Sequence, residues 1–379
     1  MKTNTYLPIN WTDGVKLTKD HFIDNYFNFI STVNAYNNVR LNDFNYGIVE
    51  TASESSFQLV AENEGNTNLI VTLKKCNIIA KNGYLIVFNS EIYGEDYPQA
   101  TINASSLDQN ATDTFYVVLS VNPFNLIPVG VPDPEAVPLH HPNVAPEIKL
   151  HIINENEVNH NFFEGYFLIL KKYSFQNGSF VEDKKYIPPV SKVKNDLTLT
   201  NFITNVNLEL FQIYDFSVKI HKKNIHNSMN NKLVLNTFSL CEKIIQFYTE
   251  NIFFLKNIAK EEPPIFMVEK IVNLSHSLVA TLTLMDEKDK EILLQYYYEW
   301  IDVKPSELLN VLIEAKDAVY EHNNIYETLR KMDQFIGILK KLWQKLSELE
   351  YIGVRKENIV ISEETKTAAP KSRTWSILD

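Results

Sequence analysis

The stretch WTDGVKLTKDHF, residues 11–22, decides how the first domain begins, because it combines a turn with a helix start. Asp13-Gly14 is typical of a tight turn, since glycine tolerates a positive φ and the Asp carboxylate accepts hydrogen bonds from nearby backbone amides. Thr18 then has the side chain of a helix N-cap. We therefore predict a helix over about residues 18–38.

The predicted helix carries more apolar side chains than one buried face needs. Leu17 and Phe22 stand at the two positions of a hydrophobic staple, and His21 stands at the third helical position, which favours a structural hydrogen bond over a catalytic role. The apolar positions are Phe22, Ile23, Tyr26, Phe27, Phe29, Ile30 and Val33. They cover more than one stripe, which predicts a helix that buries two faces. Either both faces pack within the chain's own domain, or one face belongs to a partner.

Two short motifs resemble those of the type VI secretion baseplate protein family TssK. The first is Trp-x-Asp-Gly-x-x-Leu-x-x-x-His-Phe, carried here by Trp11, Asp13, Gly14, Leu17, His21 and Phe22. Lys19-Asp20 stands where Pro-Gln is usual in that family. The second motif is an Ile-Pro-Pro segment, carried by Ile187, Pro188 and Pro189. The two motifs lie about 170 residues apart in the family's order, which makes the pair more specific than either alone.

The composition is that of a folded chain with an acidic balance. Its 379 residues include 36 Lys and Arg against 47 Asp and Glu, a net charge of −11. Nucleic acid and anionic lipid both require a basic surface, so this balance argues against either as the main partner. The start does not resemble a signal peptide, and uninterrupted apolar runs stay short, so we expect a cytoplasmic protein without direct membrane insertion. Cys76 and Cys241 are expected to be reduced, buried thiols.

Glycine usage divides the chain into a β-rich and a helical part. Eight of the ten glycines occur by Gly178, and none follows until Gly337. Before this gap, short β-branched and apolar runs predict strands at 57–61, 69–72, 77–80, 84–88, 115–121, 148–153 and 166–170. Asn82-Gly83 between two of these runs predicts a hairpin. The spacing favours a β-sandwich or a barrel-like domain.

A proline-rich segment interrupts the β-rich part. Seven prolines occur in residues 123–146. Proline lacks the backbone N–H and fixes φ, so this segment is not expected to form a central strand or a helix. We predict an extended arm or long loop, which either reaches a neighbouring subunit or partner or packs on the surface of its own domain.

After the Ile-Pro-Pro motif the apolar period changes from two to about 3.6, which predicts an all-α helical bundle. Helices are expected at about residues 202–222, 232–257, 266–284, 288–300, 306–321 and 325–351. The last helix carries a heptad seam: Ile325, Leu329, Met332, Ile336, Leu339, Trp343 and Leu346. Either other helices of the same chain or the same helix of other subunits fill this seam.

The sequence as a whole predicts an α+β multidomain chain. Residues 1–190 form an N-terminal β-rich domain with the leading helix and the proline-rich arm. Residues 191–350 form the helical bundle, and residues 351–379 form a short C-terminal tail. The apolar residues near the end of the tail are Trp375, Ile377 and Leu378.

The sequence contains none of the local motifs of common enzyme classes. Its glycines are too far apart for a phosphate-binding or dinucleotide-binding loop, and it has no His-Glu-x-x-His, Cys-x-x-Cys or Gly-x-Ser-x-Gly. His140, His141 and His151 lie close in sequence but lack the spacing of metal ligands. A dispersed carboxylate pair of the glycosidase type needs no local motif and stays an enzymatic alternative. We predict a protein that is not an enzyme and has no cofactor or metal.

The resemblance to TssK implies a structural connector in the baseplate of a contractile, phage-tail-like injection system. Members of that family form trimers and attach to the baseplate wedge through TssF and TssG. They carry a β domain similar to the shoulder of phage receptor-binding proteins, then a helical bundle and a head domain. The 28 residues after Tyr351 are too few for such a head, so we expect a shortened family member.

For this chain, the resemblance implies a cytoplasmic connector docked at the inner face of the inner membrane. The implied partners are wedge proteins similar to TssF and TssG, other copies of this chain as a homotrimer, and a membrane-complex component. The alternative function is a phage-type receptor- or carbohydrate-binding module, which would have the same β architecture but an extracellular ligand.

Overall fold

The structure is a computed structural model of the whole chain. It describes residues 6–49, 57–64, 68–104, 107, 113–158, 165–227 and 231–355. Most of the predicted tail, including Trp375, Ile377 and Leu378, lies outside the described residues.

A leading helix and two antiparallel sheets form the N-terminal part of the chain. The helix, α1, spans Lys19–Arg40. The strands are β1 (Gly47–Ile48), β2 (Phe57–Glu64), β3 (Asn68–Ile79), β4 (Leu85–Phe88), β5 (Gln99–Asn103), β6 (Asp113–Val129), β7 (Asn143–Asn154), β8 (Phe167–Gln176) and β9 (Ser179–Glu182). A short helix, α2 (Ser90–Tyr93), follows β4.

β3 organises the first sheet, because β1, β2, β4 and β5 all form hydrogen bonds with it. β2 pairs with β3 over its whole length, from Phe57 opposite Cys76 to Glu64 opposite Asn68. β5 pairs with the first half of β3, whereas β4 and β1 pair with its second half. The second sheet has the order β7-β6-β8-β9, and all its pairs are antiparallel.

β3 corrects the sequence prediction of two separate strands at 69–72 and 77–80. The structure has one strand of 12 residues, whose burial alternates along most of its length. Lys74 and Lys75 interrupt the apolar pattern and concealed this continuity. The Lys74 ammonium lies 3.6 Å from the centre of the Tyr97 ring, where a cation–π contact accommodates its charge.

The predicted hairpin at Asn82-Gly83 is confirmed. Gly83 has φ +89°, a conformation that side chains other than glycine rarely adopt. The Ala80 N–H donates a hydrogen bond to the Tyr84 carbonyl at 2.9 Å, which closes the loop.

Beyond the second sheet, β6 and β7 continue together as a two-stranded ribbon. β6 pairs with β8 only from Asp113 to Ser120, whereas β7 accompanies β6 to Val129. We use the name ribbon for residues 121–129 of β6 together with residues 143–148 of β7.

The prediction of an extended arm or long loop over residues 123–146 is refined by the ribbon, because the two ends of this segment lie in strands. Pro123 and Pro128 lie in β6, and Pro146 lies in β7. Prolines are tolerated here because each ribbon strand needs a ladder on one side only, so a missing N–H on the other side breaks no pairing. Residues 130–142 connect the two strands. That this segment acts as an arm toward a partner stays a prediction.

Six α-helices follow the sheets in the part of the chain that the structure describes, as predicted. They are α3 (Leu197–Asn224), α4 (Lys232–Asn257), α5 (Pro264–Thr283), α6 (Glu287–Ile301), α7 (Pro305–Lys316) and α8 (Ile325–Glu348). α7 ends at Lys316 rather than at 321. The residues that follow leave the helix, and His322 contacts the Tyr46 backbone carbonyl. The architecture is an α+β chain with an N-terminal two-sheet, sandwich- or barrel-like domain followed by helices.

Among the described residues, one helix, α5, has the length and composition of a membrane span. This is weak evidence for a span, since a core helix passes the same test. The buried residues of α5 include Met267, Ile271, Leu274 and Leu278.

The chain forms two compact units. The first comprises Met1–Thr204, Phe254–Val268 and Val319–Leu329, and the second comprises Asn205–Phe253, Glu269–Ala318 and Arg330–Asp379. The units are discontinuous in sequence, whereas the sequence-based domains are continuous. The division after residue 190 stays a prediction.

Candidate interaction site

α1 begins with a hydrogen-bonded cap built from the first motif. Thr18 is the N-cap, and its backbone N–H donates to Nδ1 of His21 at 3.4 Å. This bond from the cap to the third helical position is half of a capping box, with an imidazole nitrogen in place of a carboxylate oxygen. The Trp11 ring packs edge-on against His21, with 5.7 Å between the ring centroids. His21 therefore has the structural role that its position predicted.

The other residues of the first motif lie at the surface. Gly14 has φ +82° in a turn, as predicted. The predicted staple is not supported, because Leu17 and Phe22 leave 60% and 63% of their surface exposed. The motif thus places an apolar surface at the helix start and does not bury it.

Aromatic packing anchors the middle of α1 to the ribbon. Phe27 is the buried residue of α1, and its ring contacts Tyr6 and Phe124 at centroid distances of 5.0 and 5.3 Å. Tyr6 also stacks on Phe124 at 5.2 Å. Toward the end of the helix, the Asn37 side-chain amide donates to the Gly83 carbonyl at 3.1 Å. These contacts hold one face of α1 against its own domain.

A second face of α1 is apolar and open, so that a partner for this face, one of the two alternatives, stays a prediction. We call this face the α1 stripe; its side chains are 38–75% exposed, and its members are Phe22, Tyr26, Phe29, Val33 and Tyr36. The ribbon and the β3–β4 hairpin together form the one surface on which α1 packs. Within the described part of the domain, no other element covers the second face of the helix.

The second motif binds the first strand of the sheet. Ile187 is buried, and the Pro189 carbonyl accepts a hydrogen bond from the Ile48 N–H at 2.9 Å. The Ser191 N–H donates back to the Ile48 carbonyl at 3.1 Å. Gly47 permits this approach, since a Cβ built there would lie 2.1 Å from the Pro189 carbonyl oxygen.

The residues of the two motifs thus have separate structural roles. Trp11 and His21 support the start of α1, whereas the Ile-Pro-Pro segment fixes β1. Pro188 is half-buried between two buried neighbours. Sequence reasoning did not identify Gly47, whose signal is only a lone glycine before a short strand.

A buried polar cluster next to β1 was also absent from the sequence predictions. His322 Nε2 lies 2.9 Å from the Tyr46 carbonyl oxygen, and its Nδ1 lies 2.7 Å from the Tyr320 hydroxyl. The Tyr46 hydroxyl donates to the Asn323 side chain at 3.3 Å. Burial lowers the pKa of His322 to about 4, so the imidazole is neutral at physiological pH. No local pattern marks this histidine, because its partners lie far away in sequence.

The predicted heptad seam of α8 is buried inside the single chain. Every member is at most 4% exposed; they are Ile325, Leu329, Met332, Ile336, Leu339, Trp343 and Leu346. This burial leaves the seam without open surface for another subunit.

The described residues contain no group of three or more His, Cys, Asp or Glu side chains that could hold a metal ion. His140 and His141 each direct Nδ1 to a backbone carbonyl at 2.7 Å. Burial raises the pKa of both Cys76 and Cys241 to about 12, so neither thiol is poised as a nucleophile.

The second unit contains an apolar cavity of about 20 Å³. Its walls include Leu278, Leu282, Leu339 and Trp343. It offers no polar group to orient a substrate and is too small for a cofactor, so we interpret it as a packing void.

An anchored helix with an open aromatic face is chemically suited to contact another protein surface. No family model matches this chain, and no curated protein matches it. Solved structures do match it. A crystal structure of TssK has a TM-score of 0.52 and 14% identity, with 88% of this chain and 70% of that chain covered.

Two further structures are assemblies. A cryo-electron microscopy structure of the type VI secretion TssK–TssF–TssG baseplate subcomplex has a TM-score of 0.51 and 13% identity, with 90% of this chain and 99% of that chain covered. The baseplate complex from the type VI secretion system has a TM-score of 0.52 and 12% identity, with coverages of 89% and 99%. The chain therefore has a TssK-like fold, which confirms the resemblance at the level of the fold.

Proposed function

We propose that this chain is a non-enzymatic structural component of a type VI secretion baseplate, where it connects the baseplate wedge to the envelope-anchored assembly. The observation that carries the proposal is the fold, which aligns with TssK structures over 88–90% of this chain. Two of those structures are baseplate assemblies.

The chemistry of the surface supports a protein partner. A connector needs contacts with aromatic anchors, and Trp11 of the first motif is 50% exposed. The net charge of −11 does not suit nucleic acid or an anionic membrane. The buried imidazole of His322 is held in structural hydrogen bonds.

The proposed partners follow from the fold likeness and from the motifs. They are wedge proteins similar to TssF and TssG, other copies of this chain in a homotrimer, and a membrane-complex component. The proposed location is the cytoplasm, at the inner face of the inner membrane. Within the chain, we assign the wedge contact to the N-terminal unit, which contains both motifs.

Affinity purification under mild conditions tests the proposal. The tagged chain is isolated from its own cytosol, and the co-purifying proteins are identified by mass spectrometry. We expect baseplate wedge proteins in stoichiometric amounts. A Trp11→Ala variant should recover less wedge protein, while Leu284→Ala, which truncates an exposed side chain directly after α5, should behave as wild type.

A different outcome would favour the alternative function. Recovery of a lone chain without baseplate proteins would contradict the proposal. The favoured function would then be the phage-type receptor- or carbohydrate-binding module. A glycan-binding screen of the purified chain would test it. Turnover of a glycan that disappears on substitution of one carboxylate would instead indicate a hydrolase.

A further inference from the structure

The α1 stripe has the spacing of a coiled-coil contact. Its five members, Phe22, Tyr26, Phe29, Val33 and Tyr36, are separated by four, three, four and three residues. This is the period of 3.5 residues that helices keep when they pack side by side over several turns. A helix that only rests on a sheet does not need an open second stripe of this kind.

The rest of the structure holds α1 ready for such a contact. Phe27 and Asn37 fix the neighbouring face of the helix to the ribbon and to the β3–β4 hairpin. The α1 stripe therefore does not turn inward, and it stays presented to solvent on a helix of 22 residues, about 33 Å long.

Charge favours a second copy of this chain as the occupant. Residues 25–39 contain no Asp, Glu, Lys or Arg. Two copies of a chain with net charge −11 repel each other, so a self-contact has to lie where the surface is uncharged. A partner selected by charge complementarity would find no ion-pairing group on this stretch.

The available area is sufficient for association. The four aromatic side chains of the stripe are 40–75% exposed, and an aromatic residue buries roughly 150–250 Å² when fully covered. Each copy thus offers about 500 Å², and two or three copies together cover about 1,000–1,500 Å², which reaches the range of specific interfaces.

We propose that the α1 stripe is the surface through which copies of this chain associate, helix against helix. The α1 stripe would then be the contact between copies of the baseplate component proposed above. The inference rests on that proposed function only for its biological setting. The seam of α8, the other candidate from the sequence, is already filled inside the chain.

Native mass spectrometry and analytical ultracentrifugation of the purified full-length chain test the proposal without any other protein. We expect an oligomer at micromolar concentration for wild type and a monomer for Phe29→Asp, because a charge at the centre of the stripe would be buried against its own copies. Leu284→Asp places the same charge on an 88% exposed residue outside α1 and should stay oligomeric. Circular dichroism checks that both variants are folded. A monomeric wild type, or an oligomeric Phe29→Asp, would overturn the proposal.

Disulfide trapping is a second test of the same contact. It detects the contact by a covalent link between copies and does not require a variant that associates less tightly. Phe29→Cys should form a disulfide-linked dimer under mild oxidation, because the centre of the stripe meets its own copy. Ala35→Cys is the matched control, since it is exposed on α1 but points away from the stripe. Cys76 and Cys241 are buried and do not compete. Equal trapping at both positions would contradict a contact through the stripe.

The experiments distinguish a failure of the proposed baseplate function from a failure of the proposed α1 contact. An oligomer that recovers no wedge proteins leaves the α1 contact in place and removes the baseplate function. A monomeric chain that recovers wedge proteins keeps the function and removes the α1 contact.

Discussion

Replacing Gly47 with alanine should destabilise the first unit more than the same change at any other described glycine with a positive φ. The added Cβ would lie 2.1 Å from the Pro189 carbonyl oxygen and 2.3 Å from its carbon, well inside ordinary contact distance. These are backbone atoms and have no rotamer through which to move aside. The Ile-Pro-Pro segment would have to withdraw from β1.

The magnitude follows from what the withdrawal breaks. The bonds from Ile48 to Pro189 and from Ser191 to Ile48 each contribute about 1 kcal/mol. Gly47 also has φ +114°, and the left-handed conformation costs an alanine roughly 1–2 kcal/mol. We therefore expect a loss of about 3–4 kcal/mol in the free energy of unfolding, a large value for one substitution.

Gly94→Ala is the control for Gly47→Ala, because it carries the conformational cost of a positive φ without the steric clash. Gly94 has φ +76°, but a Cβ built there has no atom within 4 Å. It should therefore cost only the conformational part, roughly 1–2 kcal/mol. Urea unfolding gives the two stabilities, and hydrogen exchange at residues 46–49 and 187–191 reports whether the loss is local. Equal losses in the two variants, or unchanged exchange at these residues in Gly47→Ala, would refute the reasoning.

Three further predictions concern stability and thiol reactivity. The pKa of His322 falls from 6.5 in the unfolded chain to about 4 in the fold. The contribution of the neutral imidazole to the free energy of unfolding is therefore complete above pH 6.5 and is lost as the pH falls toward 4, by up to roughly 3 kcal/mol. In urea unfolding, His322→Gln should flatten this pH dependence, and an unchanged slope would contradict the prediction. Gly337→Ala should raise the thermal midpoint by adding about 0.5–1 kcal/mol, because Gly337 is an exposed position inside α8 with open space for a methyl group; a lower midpoint would show hidden crowding. Cys76 and Cys241 should resist a thiol reagent at pH 8 in the folded protein and both react after unfolding, and rapid labelling of the native chain would disprove their burial.

Local patterns predicted the helices well and the sheet edges poorly. The 3.6-residue period located all six helices after Leu197, because each helix buries a face of its own. β1, β5 and β9 were missed because they are short, and β1 and β5 in addition pair with a strand that is not their neighbour in sequence. The continuity of β3 was hidden by two lysines, one of which finds an aromatic ring that is not adjacent in sequence.

The candidate site shows the same division between local and distant causes. The capping role of His21 was predictable, because its partner Thr18 lies three residues away. The excess of apolar residues on α1 was visible in the sequence, but which stripe is covered depends on Phe124 in the ribbon. Gly47 and His322 act through contacts more than a hundred residues away, and no spacing rule reaches that far.

The prolines of the ribbon also limit what can join it. An exposed strand edge normally invites another strand, because its unpaired N–H and C=O groups form a template for a new ladder. Pro128 on one ribbon strand and Pro146 on the other have no N–H to offer, so an incoming strand would meet a gap on either edge. Each edge of the ribbon thus lacks one backbone donor for a new ladder, which disfavours edge-to-edge pairing with another chain.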